Sequence, residues 1–390
     1  MRSYRTVGLW VLLAATSAIV FLTLLPVDPG TSLSEGECCG LTDIVLNILL
    51  FVPLGVGLGL LGSRALAAGT IGAVASTAVE LAQRWIPGRV SSVQDVVTNC
   101  LGTLLGALLV VGWTRRAQWW RTVGALQAGV MVATSVAGGY LVLPARPAPA
   151  TWWGFWAHEL GGNAVFQGRV LRFDLQGVDI PDGPLSNGAE LSARLATGDR
   201  VLLATRLVSG PPVDGRAQLV GIMAEQSDYL ELWQEGRSLL AFVRLRLTDA
   251  GLRPVWFRLD DALPGVPGDT VALSLTITRR GVAVATTFGK TRREGTFDFS
   301  APLFWAGFLP FEVRTSSPTP LWALLPMAVA FAGLGMGARH RIGLALGAVT
   351  AFFGGMLLAR GAPAPWPALA AAALGLWAGR LLARRLGLVG

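Results

Sequence analysis

Two kinds of hydrophobic pattern share this chain. Continuous apolar runs of helix length fill residues 1–143 and about the last 70 residues, whereas short apolar stretches broken by charge every few positions run from Pro144 to about Pro318. A bilayer span needs roughly 20 mostly apolar residues. About eight segments qualify: Val7–Leu25, Ile44–Leu61, Ala65–Trp85, Val96–Trp113, Val123–Leu143, Leu321–Gly337, Ile342–Ala359 and Trp366–Leu386. The first starts basic but ends in LLPVDPG with no A-x-A cleavage pattern, so it reads as a retained span and not as a removed signal peptide.

Between the membrane blocks the period changes to that of strands. RVLLATRLV (Arg200–Val208), AQLVGIM (Ala217–Met223), YLELWQ (Tyr229–Gln234), SLLAFVRLRL (Ser238–Leu247), VALSLTITRR (Val271–Arg280) and GVAVATTF (Gly281–Phe288) alternate or carry β-branched residues between Gly, Pro and Asp turns. No helical period competes there. The pattern predicts an antiparallel β-sandwich, reached through the stiff linker PARPAP at Pro144–Pro149. Three regions follow: a five-span bundle over 1–143, a β-sandwich over 144–318 and three closing spans over 319–390.

Charge sets the orientation. Only 14% of residues are charged, well below the roughly 25% of a soluble domain, and the net charge of +8 is almost all arginine. The arginines cluster beside spans, at Arg115, Arg116 and Arg121, at Arg339 and Arg341, and at Arg380, Arg384 and Arg385, which suits topology and not nucleic acid. If every span is real, RSYR, GSR, RRAQWWR, ARHR and the C-terminal ARR all fall on one side. The positive-inside rule makes that side the cytoplasm, with both termini in and the β-sandwich outside. The three cysteines, Cys38, Cys39 and Cys100, have no zinc-site spacing, so no metal is expected, and no nucleotide motif implies a cofactor. Cys100 would share a membrane face with Cys38 and Cys39, and one of those two is a candidate bridge partner for it.

Orientation then gives the polar residues in VELAQRWIPGRVSSVQDVVTNCLGTLLGALL a depth. Glu80 and Gln83 share a helix face at the outer end of the third span, Asp95 and Asn99 share one at the start of the fourth, and Asp43 and Asn47 share one at the start of the second. Arg89 belongs to the loop above them. For any single residue here, a place among lipid headgroups or at a helix cap is the simpler reading. For the group it weakens, because Asn47, Glu80 and Asn99 lie about a turn inside apolar segments, where such groups are costly unless paired or lining a polar cavity. Gly102 and Gly106 form a G-x-x-x-G face suited to close helix approach, or reflect a chain rich in small residues.

LNILLFVPLGVGLGL, STAVELAQ and IPGRVSSVQDVVTNCLGTLLG resemble the VanZ-like membrane family over about residues 7–113. The matching positions are Asn47, Phe51, Pro53, Leu54, Gly55, Glu80, Gln83, Arg89, Asp95, Asn99, Gly102 and Gly106. The resemblance implies a bacterial envelope protein of a family named for low-level teicoplanin resistance, whose reaction is not settled. GRAQLVGIMAEQSDYLELWQEGRSLLAFVRLR resembles the core of concanavalin A-like, or laminin G-like, jelly-roll domains, which commonly bind glycans or proteins. Jelly-roll glucanases carry Glu-x-Asp-x-x-Glu, and here Trp233 replaces the aspartate between Glu231 and Glu235, which argues against glycan hydrolysis. Tyr229 and Trp233 are candidates for stacking on sugar rings, with a place in the core the commoner fate of such aromatics. In TWWGFWAHEL the aromatics suit a membrane-interface belt, and the neighbours His158 and Glu159 are read as structural.

The expected architecture is a polytopic α-helical membrane protein of about eight spans with an extracytoplasmic jelly-roll insert. Two functions stay open. In one, the outer polar site acts on or binds an envelope lipid or glycolipid headgroup, with Glu80 or Asp95 as base, Arg89 on a phosphate or carboxylate, and Asp43, Asn47, Gln83 and Asn99 in support. In the other, the protein is a non-enzymatic envelope glycan receptor or scaffold. A transporter is the third, kept by an expected helix break at Pro53-Leu54-Gly55.

Overall fold

A computed structural model describes residues 2–24, 40–86, 91–114, 137–146, 151–159, 163–225, 227–309, 312–316 and 366–385, with Ala328 and Phe331. The chain divides into two compact units. In the first, four helices are long and apolar enough to cross a bilayer: α1 (Arg2–Leu24), α2 (Leu41–Leu60), α3 (Ala65–Gln83) and α4 (Val93–Thr114). The N-terminal region is therefore membrane-embedded. Trp10, Phe21, Leu66, Val74 and Val97 stay exposed on these helices, as side chains facing lipid do.

Small residues decide how the helices meet. A Cβ built on Gly55 would lie 1.9 Å from the Thr103 carbonyl oxygen, one on Gly102 2.3 Å from that of Ile48, and one on Gly106 2.1 Å from that of Val52. The G-x-x-x-G face of α4 thus lies backbone to backbone on α2, as its spacing predicts. Pro53 does not break α2, which runs unbroken from Leu41 to Leu60. Neighbouring turns and packed helices tolerate proline inside a span, so the expected interruption is corrected.

Of the other predicted spans, Trp366–Leu386 coincides with a helix over Trp366–Arg385, whose apolar stretch is Leu369–Leu381. Val123–Leu143 lies mostly, Leu321–Gly337 almost wholly and Ile342–Ala359 wholly outside the described residues. The described residues therefore support four spans, not eight.

The second unit contains two sheets. One has seven strands in the order β13 (Val313–Thr315), β9 (Val255–Leu259), β8 (Ser238–Val243), β7 (Ser227–Gly236), β6 (Val213–Ala224), β1 (Trp152–Trp156) and β4 (Gly183–Pro184). The other has six: β12 (Thr291–Asp298), β11 (Gly281–Phe288), β10 (Thr270–Thr278), β5 (Arg200–Val208), β2 (Arg169–Leu175) and β3 (Val178–Asp179). All pairings are antiparallel except that of β13 with β9. On β5 and β10 every second residue is buried, and Val201, Leu203, Leu207, Leu273, Leu275 and Ile277 join one core with Leu230, Leu232, Ala241 and Phe257 of the first sheet.

Three expectations change here. A helix over Gly188–Thr197 interrupts the strands, burying Leu191 and Leu195 four residues apart while Glu190 and Arg194 pair outside at 2.5 Å. Two apolar contacts in ten residues make too weak a period to stand out among strands. The strand expected over Ser238–Leu247 stops at Val243, because Arg246–Asp249 coils into one turn and Arg244 Nε meets Asp249 Oδ1 at 2.7 Å. The aromatics of TWWGFW divide within a sheet strand: Trp152 is fully buried and not free for a belt, its Nε1 donating to Ser192 Oγ at 2.9 Å and its ring edge-on to Tyr229, whereas Trp153 stays exposed.

Candidate functional site

One end of the helical unit collects polar side chains from three helices. α3 and α4 are joined by a short connection and run antiparallel, so residues that lie a turn apart on one helix face matching residues on the other. Two levels of contact result. At the outer level, the backbone N–H of Ser92, just before α4, donates to Glu80 Oε2 at 2.8 Å, and the Asn47 side chain of α2 hydrogen-bonds the Asp95 carboxylate. One turn further in, Asn99 Nδ2 donates to Ser76 Oγ at 2.8 Å, and Thr103 Oγ1 donates to the backbone carbonyl of Asn99, four residues back on its own helix, at 2.9 Å. Gly72 makes room for this inner level, since a Cβ there would lie 2.2 Å from Thr103 Oγ1.

The carboxylates feel one another. Asp95 lies within electrostatic reach of both Asp43 and Glu80. Asp43 and Asp95 each occupy the first turn of their helix, where the exposed N–H groups favour negative charge. Among the described residues neither Glu80 nor Asp95 has an ion-pair partner; their hydrogen bonds come from a backbone N–H and an amide. Glu80 is 8% exposed and Asn99 3%. The Asn99 Oδ1 atom is buried with no hydrogen-bond partner. Three acidic groups and a bare carbonyl oxygen make a strong set of acceptors, suited to holding a donor or taking up a proton.

The structure thus brings together Asp43, Asn47, Glu80, Asp95 and Asn99. Gln83 is turned elsewhere: it is buried and its Nε2 donates to the Thr23 carbonyl of α1 at 3.0 Å, tying α3 to α1. Arg89 lies outside the described residues, as do Cys38 and Cys39. Cys100 is a free thiol inside the bundle, its Sγ donating to the Gly69 carbonyl at 3.4 Å. Sequence reasoning missed Ser76, Ser92 and Thr103. Ser76 is four before Glu80 and Thr103 four after Asn99, so the face could have been extended. Small hydroxyls inside spans usually bond their own helix, as Thr70 and Thr77 do here, which hides the exceptions.

In the β unit the residues singled out are interior. Tyr229 is 4% exposed and Trp233 7%, so neither offers a free ring face to a sugar. Glu231 is enclosed with them, accepting from Trp233 Nε1 at 3.2 Å and from Gln218 Nε2 at 3.1 Å. Burial, with the nearby Asp228 charge, pushes its carboxyl up to about 8 against the opposing pull of those two hydrogen bonds. Glu235 lies in β7, where Arg216, Arg258 and Arg314 pair with it. An acid held by three arginines and a second one sealed in the sheet do not form a facing hydrolytic pair. His158 Nε2 meets Asp182 Oδ1 at 2.8 Å, so its acidic neighbour in space is Asp182, not Glu159.

Residues 8–115 match the family model described as VanZ/LLP1. No curated protein and no solved structure matches the chain. The matched segment spans α1 to α4 and contains the whole polar cluster, whereas both sheets lie beyond it.

Proposed function

We propose that the polar end of the four-helix unit faces the outside of a bacterial cytoplasmic membrane and binds, or acts on, the headgroup of an envelope lipid or glycolipid. The observation that carries this reading is the convergence of Asp43, Glu80 and Asp95 from three helices above a buried Asn99 whose carbonyl oxygen is unpaired. Such groups are costly near lipid and persist where they serve a site. Glu80 or Asp95 is the base, Asn47 orients Asp95, and Arg89 takes a phosphate or carboxylate of the same headgroup. The basic loops and the VanZ/LLP1 match support this envelope placement, with the β-sandwich extracytoplasmic and tolerance to teicoplanin-type glycopeptides as the phenotype to score.

The receptor reading draws on a different feature, an open recess of about 450 Å³ on the second sheet lined by Ser274, Thr276, Arg292, Glu294 and Thr296. There the β-sandwich recognises a glycan and the helices anchor it.

One experiment separates the two. Glu80→Gln, Arg89→Lys and Asp95→Asn are made singly in the full chain, membrane insertion is confirmed, and glycopeptide tolerance is measured with the β-sandwich present or deleted. The site reading expects loss of about tenfold or more for Glu80→Gln or Asp95→Asn, as general-base removal costs. Unchanged tolerance in all three variants, with loss only on deletion, would move the function to the sandwich. A reporter fused at Gly188 checks orientation, and a cytoplasmic signal there would overturn both readings.

A further inference from the structure

We infer that the corner of the β unit where the chain enters and leaves it rests on the bilayer and binds phospholipid headgroups, with Tyr140 seated among them and Arg146 and Arg246 on their phosphates. The contact is independent of what the helical site binds.

Both ends of the β unit are fastened to one stretch, residues 244–257. The chain arrives as a helix end over residues 137–141, and Gly138 lies flat against Phe304, since a Cβ there would sit 2.9 Å from the ring. Val142 is fully buried in the sandwich core. The Arg246 N–H then donates to the Leu143 carbonyl at 3.0 Å, the Ala145 N–H donates to the Arg244 carbonyl at 2.9 Å, and Pro144 pairs with Leu245, so the expected linker starts as part of the sheet. The chain leaves through the same stretch: the Arg253 N–H donates to the Gly307 carbonyl at 3.0 Å, and β13 lies parallel on β9. In the sequence one apolar run of span length ends at Leu143 and the next begins at Leu321, six residues after Thr315. Six residues reach at most about 20 Å, so a corner held between two such runs lies at the membrane surface.

The side chains at this corner suit that depth. Tyr140 is 56% exposed at the end of its apolar run, and the Arg246 guanidinium carbon stands 4.0 Å from the centroid of its ring. Arg146 is exposed a few residues on. Arg244 is occupied by Asp249 at 2.7 Å, but among the described residues neither Arg146 nor Arg246 has a carboxylate partner. None is hidden, because every Asp and Glu from Gly129 to Gly390 is a described residue. Interfacial tyrosines sit at headgroup level, and a guanidinium matches phosphate oxygens with two parallel donors. In water an exposed cation–π contact contributes little, so the fold gains small benefit from holding Arg246 there. At a lipid surface the same contact presents the arginine ready for phosphate. An acidic protein would also suit the two arginines, but it would leave the two apolar runs unaccounted for.

The full chain is placed in nanodiscs of phosphatidylcholine, or of phosphatidylcholine and phosphatidylglycerol in equal amounts, and hydrogen exchange of peptides covering residues 137–146 and 244–250 is followed by mass spectrometry. Exchange is expected to slow on adding phosphatidylglycerol by about fivefold for each arginine engaged. Arg146→Gln and Arg246→Gln should each remove their share, whereas Arg246→Lys, which keeps the charge, should keep most of it. Depth is read separately: lipids brominated high on the acyl chain should quench the fluorescence that Tyr140→Trp adds. Exchange equal in the two discs, or slowing that survives both glutamine substitutions together, would overturn the headgroup contact. So would added fluorescence that the brominated lipids leave untouched, which would lift the corner clear of the bilayer. Inorganic phosphate that slows exchange as much in detergent as phosphatidylglycerol does in discs would show a free anion site in its place.

Discussion

Gly55→Ala and Gly106→Leu will each destabilise the helical unit severely, while Gly69→Ala will be silent. At Gly55 even one methyl group meets backbone on every side: Thr103 O at 1.9 Å, Thr103 C at 2.7 Å and the Ala107 nitrogen at 2.9 Å. Backbone cannot swing aside as a side chain does, so α2 and α4 must separate along the seam through Gly102 and Gly106. Extra methylenes in a packed core cost about 1–3 kcal/mol, and a clash with backbone falls at or above the top of that range. Separation is costly in lipid, where helices are held by close contact and not by exclusion of water. At Gly69 the nearest atom to an added Cβ is Leu104 Cβ at 3.6 Å, an ordinary contact. Melting of the detergent-extracted full chain, followed by fluorescence-detected size exclusion, should show the first two variants aggregating well below the wild type and Gly69→Ala beside it. Because Asn47 and Asp95 meet across the same seam, the two destabilised variants should also lose site function, which separates a packing role from the mere abundance of glycine in this chain.

How far the sequence could be read depended on how each element is stabilised. α2, α3 and α4 follow from hydrophobic length, and for these three the structure extends the predicted spans by at most three residues at any end, shortens Ile44–Leu61 by one and shortens Ala65–Trp85 by two. β5 and β11 match their predicted bounds because one side of each strand is core and the other solvent, so alternation is clean. β12 escaped notice, since TRREGTFD buries only Phe297 and an edge strand needs little more. In TWWGFW the pattern could not single out Trp152 as core, because aromatic residues near a membrane block suit a belt and a core equally and its partner Ser192 comes from a helix forty residues on that the strand pattern concealed. At the site, spacing of three and four placed Glu80, Asp95, Asn99, Asp43 and Asn47 on the correct faces. Spacing could not say which face Gln83 serves, because Thr23, its partner, belongs to a different helix and offers only a backbone carbonyl.

Glu231→Gln will flatten a pH dependence that the wild-type β unit should show, and its sign is fixed by burial. The carboxyl stands raised from 4.5 to about 8 in the folded chain, chiefly because it is sealed between β6 and its own strand. Below the lower value folded and unfolded chains both keep the proton and nothing is lost. As pH climbs through the window the unfolded chain releases its proton while the folded chain retains it, so stability falls until the folded carboxyl itself ionises near the upper value. At about 1.4 kcal/mol for each unit, the loss across the window is roughly 3 to 5 kcal/mol. Gln218 fits a retained proton: its Oε1 is buried without a donor, and turning the amide end for end would let a protonated Glu231 supply one. Glutamine at 231 keeps the shape and cannot ionise, so the variant should equal the wild type near pH 5 and exceed it by several degrees in melting temperature near pH 8. Tryptophan fluorescence of the full chain reports the transition, since Trp233 donates to this carboxyl and packs edge-on to Trp256. A wild-type melting temperature that instead rises between pH 5 and 8, and a variant that follows it, would mean that Glu231 is ionised in place and that its two donors outweigh the cost of burial.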